Sequence, residues 1–422
     1  MPHGFEMTKK NPVYLTVLLV ALSIVITFQT TFLMTEGYKD HDSDQRDEAS
    51  SGASEVIADS TYKKLKELAS IYAALFPDDI DEELVEKYLI SALIQSVGDD
   101  FGVYYDAESF AERLDSISGK YKGIGVTVEY DSDLGHIVIA SVIHDSPAES
   151  AGILAGDRIT HVGEGEERKS VLEIGYNNAV NMIRGEQGTY AKITILRGDE
   201  SIDFSVKRDE VTNQTVFFRM YSKDSRIAVI RISQFEKTTP EQFEAALAEA
   251  KNAGAQAYVF DVRSNPGGEL NAVASVLDML LPEGPIIRLQ YKDSSKNAQI
   301  NSGAECIKAP MAVLCNGSTA SAGELFSAAL KDYEIATLVG VKTFGKGTMQ
   351  NLLTLSDGSG LAITTAYYLP PFSENYHGVG VCPDIELDIS SELKNMAVSK
   401  YTDENDNQLH AAIDVLLPQI NG

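Results

Sequence analysis

The chain has 422 residues, 44% of them apolar, which is enough for two or three domains with a full core. Its formal net charge of -27 argues against a nucleic-acid binder, because phosphate contacts need a basic surface. Three cysteines cannot build a disulfide framework, and the seven histidines show no zinc-ligand spacing, so neither a metal nor another cofactor is expected.

Residues 1–12 precede an uncharged run from Val13 to Met34 that is long enough to cross a bilayer as a helix. Lys9 and Lys10 lie before it, and Glu36, Asp40, Asp42 and Asp44 follow. The positive-inside rule therefore puts residues 1–12 in the cytoplasm and the rest outside. No A-x-A-like site closes the run, so an uncleaved single-pass signal-anchor in the cell membrane is preferred to a cleaved signal peptide. The acidic stretch 35–54 reads as a flexible tether.

Between Val56 and Ala92, Leu65, Leu68, Ala69 and Tyr72, then Leu84, Tyr88 and Ala92, recur at helical spacing. This predicts a helical lobe over 55–106. From 107 to 208, β-rich runs such as IVIASVI and AKITILR alternate with turn signals at Ser146-Pro147 and Gly156-Asp157. Beyond 209, strand-like Ile227–Ile232, a helix start at Thr239-Pro240-Glu241-Gln242, and strands Ala257–Val262 and Met311–Cys315 predict an α/β core to about 395. A C-terminal segment, 396–422, ends in a short helix or strand near His410–Ile420. Cys315 lies in an apolar strand and reads as a buried thiol; the state of Cys306 and Cys382 is left open.

Two short segments can carry chemistry. In Asn316-Gly-Ser-Thr-Ala-Ser321-Ala-Gly-Glu324, a small-residue turn sets Ser321 at a helix start, where free N–H groups favour negative charge. A hydroxyl needs a base within reach to become a nucleophile. Lys346, between Gly345 and Gly347, can approach closely, but it acts as a base only if burial lowers its pKa by ~3 from ~10.4. Val341, Phe344, Met349, Leu352 and Leu353 could supply the dry wall, and Gln350 could orient the amine. Oxyanion donors could come from the N–H of Ala322 and from Gly267 or Gly268 in the Pro-Gly-Gly turn. Taken singly, such a serine is usually an N-cap and such a lysine a surface residue.

Taken together, Asp261-Val-Arg263-Ser-Asn265-Pro-Gly-Gly, the Ser321 segment, Thr343-Phe-Gly-Lys346-Gly-Thr-Met-Gln350 and His377-Gly-Val-Gly-Val-Cys-Pro383-Asp384 resemble the carboxyl-terminal processing peptidases, or tail-specific proteases. Gly98-Asp99-Asp100-Phe resembles the segment before their PDZ module, and 107–208 resembles that module. The resemblance spans about 60 to 390. It implies a crotonase/Clp-protease-like α/β core with an N-terminal helical lobe and an inserted PDZ domain. The implied activity is serine-type endopeptidase cleavage with a Ser321–Lys346 dyad supported by Gln350, on proteins with apolar C-termini. In the implied PDZ domain, Tyr121, Gly123, Ile124 and Gly125 would hold a peptide carboxylate beside strand Val126–Val128. Arg158 is a candidate for signalling occupancy to the core. Thr319 and Gly323 replace serines usual in the family, Cys382 an aliphatic residue, and Asp100 a proline; none is a catalytic group.

Three other readings remain open. The chain could be a silent membrane-tethered PDZ scaffold, although Ser321, Lys346 and Gln350 are all intact. It could act on acyl thioesters with a crotonase-like site, or use His377 in a Ser–His–Asp triad. Substrate identity and assembly as a homo-oligomer are left open.

Overall fold

The computed structural model describes residues 57–421, without 118, 132, 133, 144, 304 and 395. The expected signal-anchor, Val13–Met34, and the expected tether, 35–54, lie outside the described residues. Among the described residues no helix is long and apolar enough to cross a membrane.

The described residues fall into two compact units. One holds 57–110 and 349–366, the other 111–348 and 367–421. The first contains α1 (Asp59–Leu75) and α2 (Glu82–Ser96), where the periodicity predicts helices. Asp81 caps α2 by accepting from the Leu84 N–H at 3.0 Å. Neither helix has a buried residue, and Leu68, Tyr72, Leu84 and Tyr88 of the expected packing faces are exposed. Strand β1 (Val103–Tyr105) pairs antiparallel with residues 360–362. Asp99, in the Gly-Asp-Asp-Phe segment, fixes this unit by accepting from the Thr364 amide (2.9 Å) and hydroxyl (2.7 Å).

A helix, α3 (Ala107–Ile117), leads into the β-rich module of the second unit. There β2 (Lys120–Gly123) pairs with Asp209–Thr212, closing the module at its two ends. Between them, β3 (Val126–Asp131), β4 (His136–Val142), β5 (Arg158–Val162), β6 (Tyr190–Arg197) and β7 (Glu200–Lys207) form an antiparallel sheet in that order. Ile137, Ile139, Ile159, Ile193 and Ile195 alternate inward and build a core closed by Ala179 and Ile183 of α5 (Tyr176–Ile183). The Ser146-Pro147 turn signal is α4 (Pro147–Ser150), capped by the Ser146 side chain.

The α/β core follows. After β8 (Asp209–Thr212), strands β9 (Val216–Met220), β10 (Ile227–Ile232), β11 (Ala257–Asp261), β14 (Met311–Cys315), β15 (Ala336–Gly340) and β18 (Ile385–Glu386) make one sheet in that order, parallel from β10 onward. The intervening β12 (Gly284–Tyr291) and β13 (Ala298–Ser302) form an antiparallel pair outside this sheet, and β16 (Thr348–Thr354) and β17 (Gly360–Leu369) also lie off it. Every residue of β11 and β14 is buried, as expected for parallel strands covered on both faces. On one face, Val259, Ala312, Leu314 and Val339 meet Leu409, Ile413 and Leu416 of the terminal helix α9 (Asn407–Asn421). The C-terminal segment is thus a helix. On the other face, Phe260 meets Phe243 of α6 (Thr239–Asn252) at 5.6 Å and Phe326 of α8 (Ala322–Asp332) at 5.8 Å between ring centroids. Helix α7 (Leu270–Asp278) buries Leu270, Val273 and Leu277.

Just past β11, Arg263 is 3% exposed and pairs with Asp261 (2.7 Å) and with Asp406 (2.6 Å) ahead of α9. Burial would lower its pKa, but the two carboxylates reverse this and hold it above the ordinary arginine value. A buried charge paired on both sides locks the loop after β11 to the C-terminal segment.

Candidate active site

Parallel strands end on the same edge of a sheet, so the loops leaving neighbouring strands meet there. The strands β11, β14 and β15 are adjacent. Their following loops carry Gly267-Gly268, Ser321 and Lys346 respectively. Hydrogen bonds join these loops: Ala320 N–H to Asn265 O (2.9 Å), Thr319 Oγ1 to Val262 O (2.8 Å) and Phe344 N–H to Thr319 O (3.0 Å). Thr319 therefore does a structural job with its hydroxyl. Ser321 and Lys346, 54 and 79 positions after Gly267, share one edge with it for this reason.

Ser321 has φ = 54°, a left-handed conformation that is costly for a residue with a Cβ and typical of functional sites. It is 1% exposed, and Lys346 is fully buried. Glu324, also fully buried, accepts four hydrogen bonds: from the N–H groups of Ser321 (2.9 Å), Lys346 (2.7 Å) and Gly345 (2.6 Å) and from the Thr343 hydroxyl (2.5 Å). One carboxylate thus holds the backbone of both Ser321 and Lys346. Burial pushes its carboxyl above the ordinary value, while these donors pull against the shift. All four partners donate and none accepts a proton, so only the ionised form satisfies the whole set.

The Tyr368 hydroxyl lies 2.6 Å from Ser321 Oγ and donates to the Lys346 carbonyl at 2.9 Å. Tyr376 donates to the Ser321 carbonyl at 3.1 Å. Sequence reading missed both tyrosines, because nothing local ties residue 368 to a serine 47 positions earlier. It also gave Glu324 no role, although its place three residues after Ser321 is the capping-box spacing. Of the five residues expected to supply the dry wall, Met349 is buried and Val341 and Leu352 are half-buried, whereas Phe344 and Leu353 are 46% and 38% exposed. With Thr343 and Gly345 both bound to Glu324, the side chain between them is left in solvent.

In the Pro-Gly-Gly turn, the Gly267 N–H is spent on Asn265 Oδ1 at 2.8 Å. Gly268 approaches Phe235 so closely that a Cβ would sit 1.7 Å from the Phe235 carbonyl oxygen. Among the described residues no hydrogen bond is formed by its N–H or by that of Ala322. Gln350 lies in the other unit, where its Nε2 donates to the Phe101 carbonyl.

A peptidase family S41 sequence model matches residues 226–387, and a PDZ domain model matches 122–207. The chain is 35% identical over 348 residues to the carboxy-terminal processing protease CtpA of Bacillus subtilis, covering 82% of this chain and 72% of that protein. The chain belongs to peptidase family S41. It is also 32% identical to a carboxy-terminal-processing protease of Bartonella bacilliformis, over 78% of this chain and 76% of that one. A solved photosystem II D1 C-terminal processing protease is 26% identical with a TM-score of 0.45, covering 76% of this chain and 86% of that one. Its place among the C-terminal processing proteases makes this chain a peptide-bond hydrolase of serine-protease lineage with a PDZ domain and an α/β core.

The PDZ domain of this S41 chain carries a groove of roughly 330 Å³ between β3 and α5, lined by Tyr121, Gly123, Ile124, Gly125, Val180 and Ile183 among others. The first three residues of the expected carboxylate loop are strand β2, paired with Asp209–Thr212, which leaves Ile124 and Gly125 as the turn. That turn is pinned by the Ala148 N–H on Ile124 O (2.7 Å) and the Ile143 N–H on Gly125 O (3.0 Å). Burial pushes the Tyr121 phenol up to about 12. The Arg158 guanidinium donates to the Gly198 carbonyl at 3.3 Å, inside the PDZ domain itself. The core reaches the groove instead through Asn213 and Glu236, hydrogen-bonded to each other at 2.7 Å.

Proposed function

We propose that this S41 chain cleaves exported or membrane-associated proteins near apolar C-termini by a Ser321–Lys346 acyl-enzyme mechanism gated by its PDZ domain. One observation carries the reading: the buried Glu324 carboxylate binds the backbones of Ser321 and Lys346 at once. In this reading the fully buried Lys346 amine takes the Ser321 proton as Oγ attacks the scissile carbonyl. The N–H groups of Ala322 and Gly268 then hold the oxyanion. Lys346 returns the proton to the leaving amine, then takes a proton from water, which attacks and releases the acyl group while Ser321 Oγ regains the proton from Lys346.

The gating reading is supported by a backbone path rather than by Arg158. Glu236 lines the peptide groove, and the preceding Phe235 gives its N–H to Gly267 O (2.8 Å) and takes the Glu269 N–H on its own carbonyl (2.7 Å). A peptide that moves Glu236 therefore pulls on both sides of Gly268.

The purified protein should cleave casein, an apolar C-terminal peptide should stimulate cleavage, and Ser321→Ala should abolish it. A Ser321→Ala protein as active as wild type would sink the reading, and equal inactivity of both would favour the scaffold alternative. The uncharged run Val13–Met34 supports single-pass anchoring with the catalytic part outside the cytoplasm. The protein should then stay in the membrane pellet after alkaline carbonate washing, and its release would contradict anchoring.

A further inference from the structure

We propose that Tyr368 is a further catalytic residue, its phenol alternating one hydrogen bond between the Lys346 carbonyl and Ser321 Oγ. The inference rests on the Ser–Lys reading above. A phenol has a single proton, yet the Tyr368 oxygen sits 2.9 Å from the Lys346 carbonyl oxygen and 2.6 Å from Ser321 Oγ. It can donate to only one of them at a time. When the proton points at Lys346 O, the contact to Ser321 is made by the serine hydroxyl donating to the phenol. That arrangement ties up the proton which the base must remove. When the phenol proton turns to Oγ, the serine proton is released toward Lys346, and Oγ gains a donor as negative charge develops on it.

The proton count closes. The serine proton passes to the neutral Lys346 amine, the Oγ lone pair forms the bond to the carbonyl carbon, and the phenol keeps its own proton throughout. Burial raises the Tyr368 pKa above the ordinary tyrosine value, so the group is a donor at any working pH. The Tyr368 main chain is fixed independently of the hydroxyl. Asn375 Nδ2 donates to both Gly347 O (2.9 Å) and Tyr368 O (2.7 Å), and the Tyr368 N–H reaches Gly347 O at 3.3 Å. The Tyr376 ring packs edge-on at 6.1 Å. Removing the hydroxyl should therefore leave the ring in place.

The test compares wild type, Tyr368→Phe and Ser321→Ala in casein cleavage, in labelling by a fluorophosphonate probe, and in thermal melting. Tyr368→Phe is expected to lower kcat by about 10²-fold, the loss typical of one donor to a developing oxyanion, with KM unchanged. Fluorophosphonate labelling should slow in parallel, because it needs only the nucleophile and its activators. A wild-type or higher kcat in Tyr368→Phe, with Ser321→Ala inactive, would overturn the inference while leaving the Ser–Lys reading intact. Cleavage by Ser321→Ala would instead overturn the underlying reading. Should Tyr368→Phe melt early, 3-fluorotyrosine at 368 keeps the shape and makes the phenol more acidic. A changed kcat at wild-type melting supports the role, and an unchanged kcat overturns it.

Discussion

Lys346→Ala lowers peptide-bond hydrolysis by about 10⁴-fold or more, the loss expected when the partner that activates a serine is removed. The lysine side chain is fully buried while the backbone of its loop is held by Glu324, so truncation deletes the amine and leaves the loop tied in place. Lys346→Arg is expected to fail equally, because a guanidinium stays protonated and cannot accept the serine proton. Small primary amines added to Lys346→Ala should restore part of the rate by occupying the vacated space, whereas they should not help Lys346→Arg. Turnover of casein measures all three. Activity of either variant within about tenfold of wild type would remove Lys346 from the mechanism.

Glu324→Ala has the second largest expected effect, and it acts on stability and activity together. It strips the acceptor from three backbone N–H groups and one hydroxyl in a site closed to water. Each buried donor left unpaired costs about 1–3 kcal/mol, and even with relaxation the sum should reach about 3 kcal/mol, visible as an earlier urea midpoint. The Ser321 turn, already at positive φ, would lose the contact that fixes it to the Lys346 loop, so kcat should fall more than melting explains. Glu324→Gln is expected to recover only part of either. Its amide offers one acceptor oxygen, and its NH₂ would face donors. A Glu324→Ala protein with wild-type kcat would mean that the two loops hold their geometry without the carboxylate.

Local chemistry makes much of the molecule legible in its sequence. Thr239-Pro240 starts a helix because proline suits the first turn, and the apolar strands 257–262 and 311–315 are buried as their composition requires. Ser321 and Lys346 are legible because each sits in a run of small residues that serves close approach. The helices of the lobe are legible too, from their spacing, but periodicity says nothing about whether a partner covers the apolar face. Here Leu68, Tyr72 and Tyr88 remain exposed.

Features set by a few neighbouring residues were therefore determined by sequence alone: helix starts, the apolar runs that become buried strands, the serine turn and the glycine-flanked lysine. Tertiary structure alone decided which distant groups meet. The order of β11, β14 and β15 in the sheet put three loops on one edge, and that order is not written in any local pattern. Packing around the sheet made Glu324 a clamp on the Lys346 loop, brought the Tyr368 hydroxyl to Ser321, and placed Glu236 rather than Arg158 at the PDZ groove. Each of these depends on a contact between residues remote in sequence, whose position is set only when the core closes around the sheet.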